Sequence, residues 1–214
     1  MPALPLPRSF YERQAPRLAP ELLGCLLVRE HGGRLLVGRI VEVEAYLGRE
    51  DAASHAYRGP TPRSRIMFGP AGHAYVYFIY GAHYCLNVVT GGEGWGEAVL
   101  IRALEPVAGV DTMQEWRSRG RGHGVDIVQP RLLTNGPGKL CQALGIDRAL
   151  NGHDLTRGEG LWLEAGASAS VGVISASPRV GVRGDDLARS VAWRFFLAGN
   201  PYVSPTPLNL SRQE

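Results

Sequence analysis

The sequence is poor in cysteine and almost free of lysine. Three cysteines occur among 214 residues, and each has apolar neighbours, so we expect small buried thiols rather than a disulfide or a metal site. Of the 23 basic residues, only Lys139 is a lysine. An enzyme that forms a Schiff base with its substrate would therefore have to use Lys139 or the N-terminal amine.

Long apolar runs are also missing. No stretch approaches the ~20 residues that cross a bilayer, and the first residues lack the basic start and long apolar core of a secretory signal. We therefore expect a cytoplasmic protein with no membrane partner. The length fits one globular domain, and the net charge of +3 permits an anionic partner without requiring one.

Motifs for metals and nucleotide phosphates are weak. Asp51 and His55 are four residues apart and could share a helical face, but no further residues follow at ligand spacing, so we predict no metal. The run Gly136-Pro137-Gly138-Lys139-Leu140 lacks the pattern of a Walker loop. It favours a helix start with one cation, which is a modest anion site. The sequence thus predicts no cofactor.

The apolar pattern that is present predicts a mixed α+β chain of short elements. Prolines break the helical turns of residues 9–23, and residues 48–72 resemble a long surface loop. Strands are predicted at 26–28, 35–37, 39–46, 74–80, 84–90, 98–104, 161–164 and 180–183, and helices at 50–55, 112–119 and 139–144. The turn signals His31-Gly32-Gly33 and Gly81-Ala82-His83 predict two hairpins.

Two carboxylates lie on one face of the strand predicted at 39–46. Glu42 and Glu44 would be about 6–7 Å apart, from a rise of ~3.3 Å per residue, and carboxyl pairs at ~5–9.5 Å hydrolyse glycosides. A solvent-facing strand edge with two solvated charges is the alternative that spacing leaves open. Tyr46 shares their face and could stack a planar ligand.

The segment 74–84 combines aromatic residues with nearby arginines. For any one tyrosine, a buried strand with tyrosines at its rim explains the pattern. Alternatively, Tyr80 and Tyr84 at a hairpin tip could insert a ring into a base stack. Arg58, Arg63 and Arg65 would supply the positive charge that nucleic-acid binders combine with aromatic rings.

In order along the chain, seven motifs resemble those of the alkyladenine (3-methyladenine, methylpurine) DNA glycosylase family. The resemblance covers residues 25–203, nearly the whole chain. The motifs are Arg39-Ile40-Val41-Glu42-Val43-Glu44-Ala45-Tyr46-Leu47-Gly48, Asp51…His55, Thr61-Pro62-Arg63, Tyr75-Val76-Tyr77-Phe78-Ile79-Tyr80-Gly81, Cys85-Leu86-Asn87, Val99-Leu100-Ile101-Arg102-Ala103-Leu104-Glu105-Pro106 and Gly136-Pro137-Gly138-Lys139-Leu140-Cys141-Gln142-Ala143-Leu144.

The resemblance implies a pocket for a flipped base. Tyr80 would take the place that the flipped nucleotide leaves in the duplex. The extruded purine would stack between Tyr46 and Tyr77, with His55 closing the pocket and hydrogen-bonding near the sugar-phosphate. Asn87 would crowd the exocyclic amine of guanine and so disfavour normal guanine.

The resemblance also implies the catalytic and DNA-binding groups. Glu44 would be the general base that activates water for attack on C1′ of the sugar, and Arg102 would hold that water or the adjacent phosphate. Glu42 would be a supporting residue. Arg63 would contact the DNA backbone, and Lys139 lies in a motif that the family uses structurally or toward DNA.

The fold implied is one α+β domain with a curved, largely antiparallel sheet, surrounding helices and a protruding hairpin. Residues 1–24 would be a lead-in packed on a glycosylase domain at 25–214. We expect a monofunctional DNA glycosylase that starts base excision repair on damaged double-stranded DNA, acting as a monomer in the cytoplasm on the nucleoid. A non-catalytic nucleic-acid-binding module and a small-substrate N-glycoside hydrolase are the alternatives.

Overall fold

The computed structural model describes residues 4–119, 128–166 and 172–206 of the chain. Within these ranges short helices surround one curved sheet, as the sequence predicts. The helices are α1 (Arg8–Tyr11), α2 (Ala15–Leu22), α3 (Val110–Ser118), α4 (Pro137–Ala143) and α5 (Asp186–Ser190), with 3-10 turns at Arg65–Phe68, Pro130–Leu132 and Arg148–Leu150. The strands are β1 (Leu26–His31), β2 (Arg34–Tyr46), β3 (Ala74–Ile79), β4 (His83–Thr90), β5 (Glu97–Ala108), β6 (Leu161–Glu164), β7 (Ile174–Ser177) and β8 (Arg194–Leu197).

The long strand β2 organises the sheet. The strand order is β3-β4-β5-β2-β1-β6, and the strand pairs are antiparallel. One edge of β2 pairs with β5 along its length. The other edge pairs first with β1 and then, at Glu42–Glu44, with β8. Strand β8 in turn pairs with β7, so the C-terminal part of the chain is brought against the half of β2 that carries the glutamates.

The pairing of β2 with β5 is interrupted by bulges next to Glu42. Glu42 faces Ala103 while Val43 faces Ile101, so Arg102 is the extra residue on β5. Bulges re-aim a side chain and are frequent beside active sites. Here the irregular register brings the guanidinium of Arg102 to both Glu42 and Glu44.

Helices cover the sheet and form the core with it. Helix α2 presents Leu18 and Leu22, both fully buried, and packs on β2. Helix α4 packs on β4, and α3 packs on α4. Burying such side chains contributes ~1.5–3 kcal/mol each. Buried side chains lie on both faces of β2. The solvent-facing edge that spacing left open for Glu42 and Glu44 is therefore wrong, because both are 0% exposed.

Two predicted elements are wrong. Residues 50–55 form turns rather than a helix, because the Asp51 carboxylate accepts hydrogen bonds from the backbone of Leu47 and Ala53 and so offers the backbone an alternative to helical bonds. Residues 180–183 are not a strand, because the Val180 amide donates to a side chain, Glu44, rather than to a neighbouring strand. The long loop at 48–72 is only partly at the surface, since Asp51 and Met67 are buried.

No helix in the described part of the chain is long and apolar enough to cross a membrane. The division into a lead-in at 1–24 and a domain at 25–214 stays a prediction. Residues 1–3, 120–127, 167–171 and 207–214 of those ranges lie outside the described residues.

Candidate active site

A network of buried charged side chains surrounds the bulge on β5. The carboxylate of Glu42 accepts hydrogen bonds from Arg102 Nε (2.7 Å), from Arg194 Nε (2.7 Å) and from both the amide (2.7 Å) and the hydroxyl (2.7 Å) of Ser204. Burial alone would raise the pKa of Glu42, but the charges of Arg102 and Arg194 and the bonds from Ser204 hold it below its ordinary value. Glu42 is thus enclosed by donors.

Glu44 has a different environment two residues further along β2. Its Oε2 accepts from the Tyr46 hydroxyl (2.8 Å), and its Oε1 accepts from the Val180 amide (2.7 Å) and lies 3.2 Å from Nη1 of Arg102. Burial would lower the pKa of Arg102, but the negative charges of Glu44 and Glu42 raise it above the ordinary value for arginine. Glu44 is therefore a carboxylate in fixed orientation, paired with a permanently charged guanidinium.

Glu44 forms part of the wall of a cavity of about 600 Å³, which is the size of a small-molecule site. The cavity brings together seven of the residues that the sequence singles out: Glu44, Tyr46, His55, Tyr77, Tyr80, Asn87 and Arg102. Their roles stay predictions at this point. The other lining residues come from the turn at 50–55, from the 3-10 turn Arg65–Phe68, from β3–β5, from the start of α4 and from residues 180–183.

Aromatic rings form much of this wall. The His55 ring lies 4.6 Å from that of Tyr77 and is perpendicular to it at 73°, and His55 Nδ1 is 2.9 Å from the Tyr75 hydroxyl. Arg63 lies over the Tyr77 ring at 5.0 Å. Burial of the phenol raises the pKa of Tyr75 to about 12. For the same reason the pKa values of Tyr77 and Tyr46 are also raised above the ordinary value for tyrosine.

His55 lies at the open rim of the cavity. Partial removal from water against the tyrosines, and then the positive charge of Arg63, lower the pKa of the imidazole from 6.5 to about 4. The ring is therefore neutral near pH 7. The i,i+4 helical arrangement considered for Asp51 and His55 does not form, because Asp51 pairs with Arg179.

The tip of the β3–β4 hairpin carries the most exposed ring at the site. Tyr80 is 87% exposed and has a φ of 53°, the one positive φ outside glycine in the described residues. Gly81 follows with a φ of 66°, as consecutive turn positions in tight hairpins require. A bulky residue in this conformation costs about 1–3 kcal/mol, and such strain is concentrated at functional sites.

The remaining predicted residues occupy the floor and the surroundings of the cavity. Asn87 is buried and donates through Nδ2 to the Tyr75 carbonyl (3.1 Å). Arg63 and Lys139 lie outside the cavity lining. Arg63 is exposed beside the hairpin, and Lys139 donates to Asn135 Oδ1 (2.7 Å) within the α4 region. Because Gly138 packs on His83 of the hairpin, the start of α4 borders the same opening.

Sequence reasoning missed the cationic and backbone groups that the C-terminal part contributes. Arg179 forms a buried pair with Asp51 outside the cavity lining, Arg194 neutralises Glu42, and residues 180–183 form part of the wall. A partner of Glu44 that is a backbone amide has no sequence signature. Arg194 lies in the run Trp193-Arg194-Phe195-Phe196, where an arginine among aromatic residues was the available signal.

Comparison with known proteins agrees with this site. Residues 9–201 match the family described as Methylpurine-DNA glycosylase. A protein of Carboxydothermus hydrogenoformans is 50% identical over 199 residues, which cover 93% of this chain and 98% of that protein. One of Methanoculleus marisnigri is 52% identical over 204 residues, with 93% and 98% covered. Both carry the name "Putative 3-methyladenine DNA glycosylase". The chain belongs to the methylpurine-DNA glycosylase family, and it is a DNA-repair hydrolase of the glycosylase class that acts on alkylated DNA.

Proposed function

We propose that this glycosylase flips alkylated or deaminated purines out of duplex DNA and hydrolyses the bond between base and sugar with water. The substrates would be of the 3-methyladenine, 7-methylguanine, hypoxanthine and ethenoadenine type. The observation that carries the proposal is the buried carboxylate of Glu44, which lines an aromatic cavity directly beside the exposed ring of Tyr80.

The rings supply the energy for base flipping. Extrusion of a base costs a few kcal/mol, and less where the base is damaged or mispaired. Stacking on an aromatic side chain returns ~1–3 kcal/mol per base, so Tyr46 and Tyr77 together could offset the cost. Tyr80 would fill the gap in the duplex. The strained turn keeps this ring projecting from the hairpin before DNA binds.

Glu44 is suited to activate the water. Tyr46 occupies one acceptor position on Oε2, and an ionised carboxylate has about four such positions on its two oxygens. A position therefore stays available to accept a proton from a water beside C1′. The same negative charge would stabilise the oxocarbenium-like transition state. Arg102 would hold the water or the adjacent phosphate.

The pocket is better suited to bases that leave without protonation. Alkylation at N3 or N7 makes the purine cationic, and a cationic base leaves readily. Neutral hypoxanthine needs a proton, and His55 with a pKa of about 4 does not supply one near pH 7. Tyr75 and Tyr77 hold their protons more tightly than in water. We therefore expect cationic lesions to be excised faster than neutral ones.

Discrimination and DNA binding follow from residues around the base. Asn87 would crowd the exocyclic amine of guanine, and its bond to the Tyr75 carbonyl fixes its position. Arg63 beside the hairpin would contact the DNA backbone. Lys139 near the start of α4 would do so as well, or would support that helix.

Water as the nucleophile implies that the DNA strand is not cut. Lys139, the lone lysine, bonds Asn135 outside the described lining of the cavity, which disfavours an amine attack on the sugar. A repair enzyme with a chromosomal substrate would act in the cytoplasm on the nucleoid, and we propose that it acts there as a monomer.

The test is single-turnover base release from a duplex with one hypoxanthine and from methylated DNA, for the wild type and Glu44→Gln. We expect release by the wild type, a loss of ~100-fold or more in the variant, as for a positioned general base, and no adduct trapped by borohydride. Equal release by both proteins would remove Glu44 from its role.

Absence of release from either DNA would overturn the proposal. Release of the base from a free nucleoside at the same rate as from duplex DNA would favour a small-substrate N-glycoside hydrolase instead. A trapped covalent adduct would indicate an amine nucleophile, and Lys139→Gln would then identify it.

A further inference from the structure

We propose that the buried ion pair of Arg179 and Asp51 is a positioning pair for base excision, which holds Tyr46 and Val180 in the places from which they contact Glu44. Neither residue of the pair is a catalytic group, since the pair lies behind the cavity wall. This inference rests on the proposed function, because it concerns two residues that would hold the donors of Glu44 in place.

The pair itself is bidentate and shielded from water. Arg179 Nη1 lies 2.5 Å from Asp51 Oδ2, and Nη2 lies 2.8 Å from Oδ1. Both side chains are 0% exposed. This fork geometry is specific to arginine, because the planar guanidinium matches a carboxylate through two parallel bonds, which a lysine cannot reproduce.

Arg179 connects the pair to the Tyr46 ring. Its guanidinium lies 4.6 Å from the centroid of that ring and 5.2 Å from that of Trp193, and it donates to the carbonyls of Ala45 and Ala188 (both 3.0 Å). Tyr46 lines the cavity, whereas Arg179 is buried behind it. Because Arg179 does not itself line the cavity, the cation can hold the Tyr46 ring without occupying the space for a base.

Asp51 connects the pair to a second segment of the cavity wall, residues 53–55. Its two oxygens accept hydrogen bonds from the amides of Leu47 (3.2 Å) and Ala53 (3.0 Å). These bonds fix the turn that leads from β2 to His55. Ala53 and His55 both line the cavity, so one carboxylate sets the path of this segment.

The chain itself connects the pair to Glu44. Val180 follows Arg179 directly, and its amide donates to Glu44 Oε1 (2.7 Å), while the Tyr46 hydroxyl donates to Oε2 (2.8 Å). A shift of Arg179 would thus displace a donor from each oxygen of the carboxylate. Since a misplacement of about 1 Å at an active site can cost ~100-fold in rate, the pair is well placed to control excision.

Stability alone is a poor explanation for the pair. Buried ion pairs often contribute no more than apolar residues of the same volume, because desolvation offsets the attraction. The contacts of Arg179 and Asp51 converge instead on the two donors of Glu44 and on the turn before His55.

The experiment compares Arg179→Lys and the neutral double variant Asp51→Asn/Arg179→Gln with the wild type. The first keeps the charge and loses the fork, and the second removes both buried charges together, so that neither is left uncompensated. Single-turnover excision of a methylated purine and the Kd for an abasic duplex are measured per folded molecule. We expect the excision rate to fall by about 10-fold or more and the Kd to change by less than about threefold.

A matched control and a coupling measurement separate positioning from folding. Asp154→Asn weakens another Asp–Arg pair, that of Asp154 with Arg8, away from the cavity, and should lower the Tm without changing the excision rate. Arg179→Lys should have a smaller effect on the rate in a Tyr46→Phe background than in the wild type, since residues in one network are not additive.

Several outcomes would overturn the inference while leaving the proposed function intact. The first is a wild-type excision rate in both variants, alongside a large loss in Glu44→Gln. The second is a Kd that weakens as much as the rate falls. The third is failure of both variants to fold, which would make the pair a folding requirement. A wild type without excision would instead contradict the proposed function itself.

Discussion

Glu42 and Glu44 show how differently two identical side chains on one strand can be used. Both are 0% exposed, both contact Arg102, and they are two residues apart. Glu42 receives four hydrogen bonds, from Arg102, Arg194 and Ser204. Glu44 receives two, from Tyr46 and Val180, and lines the cavity.

The difference comes from neighbours that are distant in sequence. Strand β8 supplies Arg194 to Glu42, and the segment after β7 supplies the Val180 amide to Glu44. A carboxylate whose acceptor positions are occupied by cations and amides stabilises a fold, whereas one with a position open to a cavity can accept a proton. Burial and residue type alone would have assigned both the same role.

The largest effect that this comparison predicts is a loss of stability in Glu42→Gln. The substitution removes the negative charge that Arg102 and Arg194 both contact at Glu42, while Arg102 keeps its pair with Glu44. Removing one partner of a buried pair costs about 3–5 kcal/mol, or on the order of 10 °C in Tm for a chain of this size. Denaturant unfolding measures it, with Glu105→Gln as control, because the Glu105–Arg39 pair is partly exposed and should cost less than about 1 kcal/mol. Equal losses in the two variants would contradict the assignment.

The reciprocal prediction concerns Glu44→Gln, whose main effect should be on rate. We expect the excision rate to fall by ~100-fold or more, which corresponds to about 2.7 kcal/mol. The loss of unfolding free energy should be smaller than in Glu42→Gln, because Arg102 keeps Glu42 as its partner and the Val180 amide can donate to the Gln carbonyl. The excision rate and the unfolding free energy are measured in both variants. An equal fall in the rate per folded molecule in Glu42→Gln and Glu44→Gln would contradict the different roles assigned to the two carboxylates.

Much of the site could be predicted from the sequence. The alternation of 39–46 put Glu42, Glu44 and Tyr46 on one face, and the bond between Tyr46 and Glu44 is consistent with it. The hairpin with Tyr80 at its tip also formed as predicted. These features depend on neighbours within a few residues, where periodicity and turn chemistry are informative.

The features that failed depend on contacts that the sequence does not encode locally. Residues 180–183 have the apolar alternation of a strand, but the Val180 amide donates to Glu44, which is 136 positions away in the chain. Asp51 and His55 have helical spacing, but Asp51 pairs with Arg179, 128 positions away. Bulges around Arg102 leave no pattern of their own, since they arise from the register between two strands.

The hydroxyl donors offer a finer comparison of the two carboxylates. Ser204→Ala removes one neutral donor from Glu42 and Tyr46→Phe removes one from Glu44. A hydrogen bond to a charged group contributes about 1.5–3 kcal/mol net. We therefore expect Ser204→Ala to lower the unfolding free energy by about that amount with an unchanged excision rate. We expect Tyr46→Phe to lower the rate by about fivefold while the ring still stacks a base. Single-turnover rates and urea midpoints check both, and an unchanged rate in Tyr46→Phe would remove its hydroxyl from the mechanism.

The smallest predicted effect is on the pH dependence of stability, which should differ between His55 at the rim of the cavity and Glu42 in its charge network. The His55 pKa is about 4 in the folded protein and about 6.5 in an unfolded chain. Between these values the unfolded chain binds the proton more tightly, so this contribution to stability is present above about pH 6.5 and is lost as the pH falls toward 4. The Glu42 pKa is also lowered, from an unfolded value of about 4.3, so its contribution is lost only below that pH. Wild type and His55→Gln should therefore differ in the slope of Tm against pH between 7 and 5. The difference should be modest because the ring lies at an open rim. Parallel slopes would mean that His55 titrates in the folded protein as it does in water.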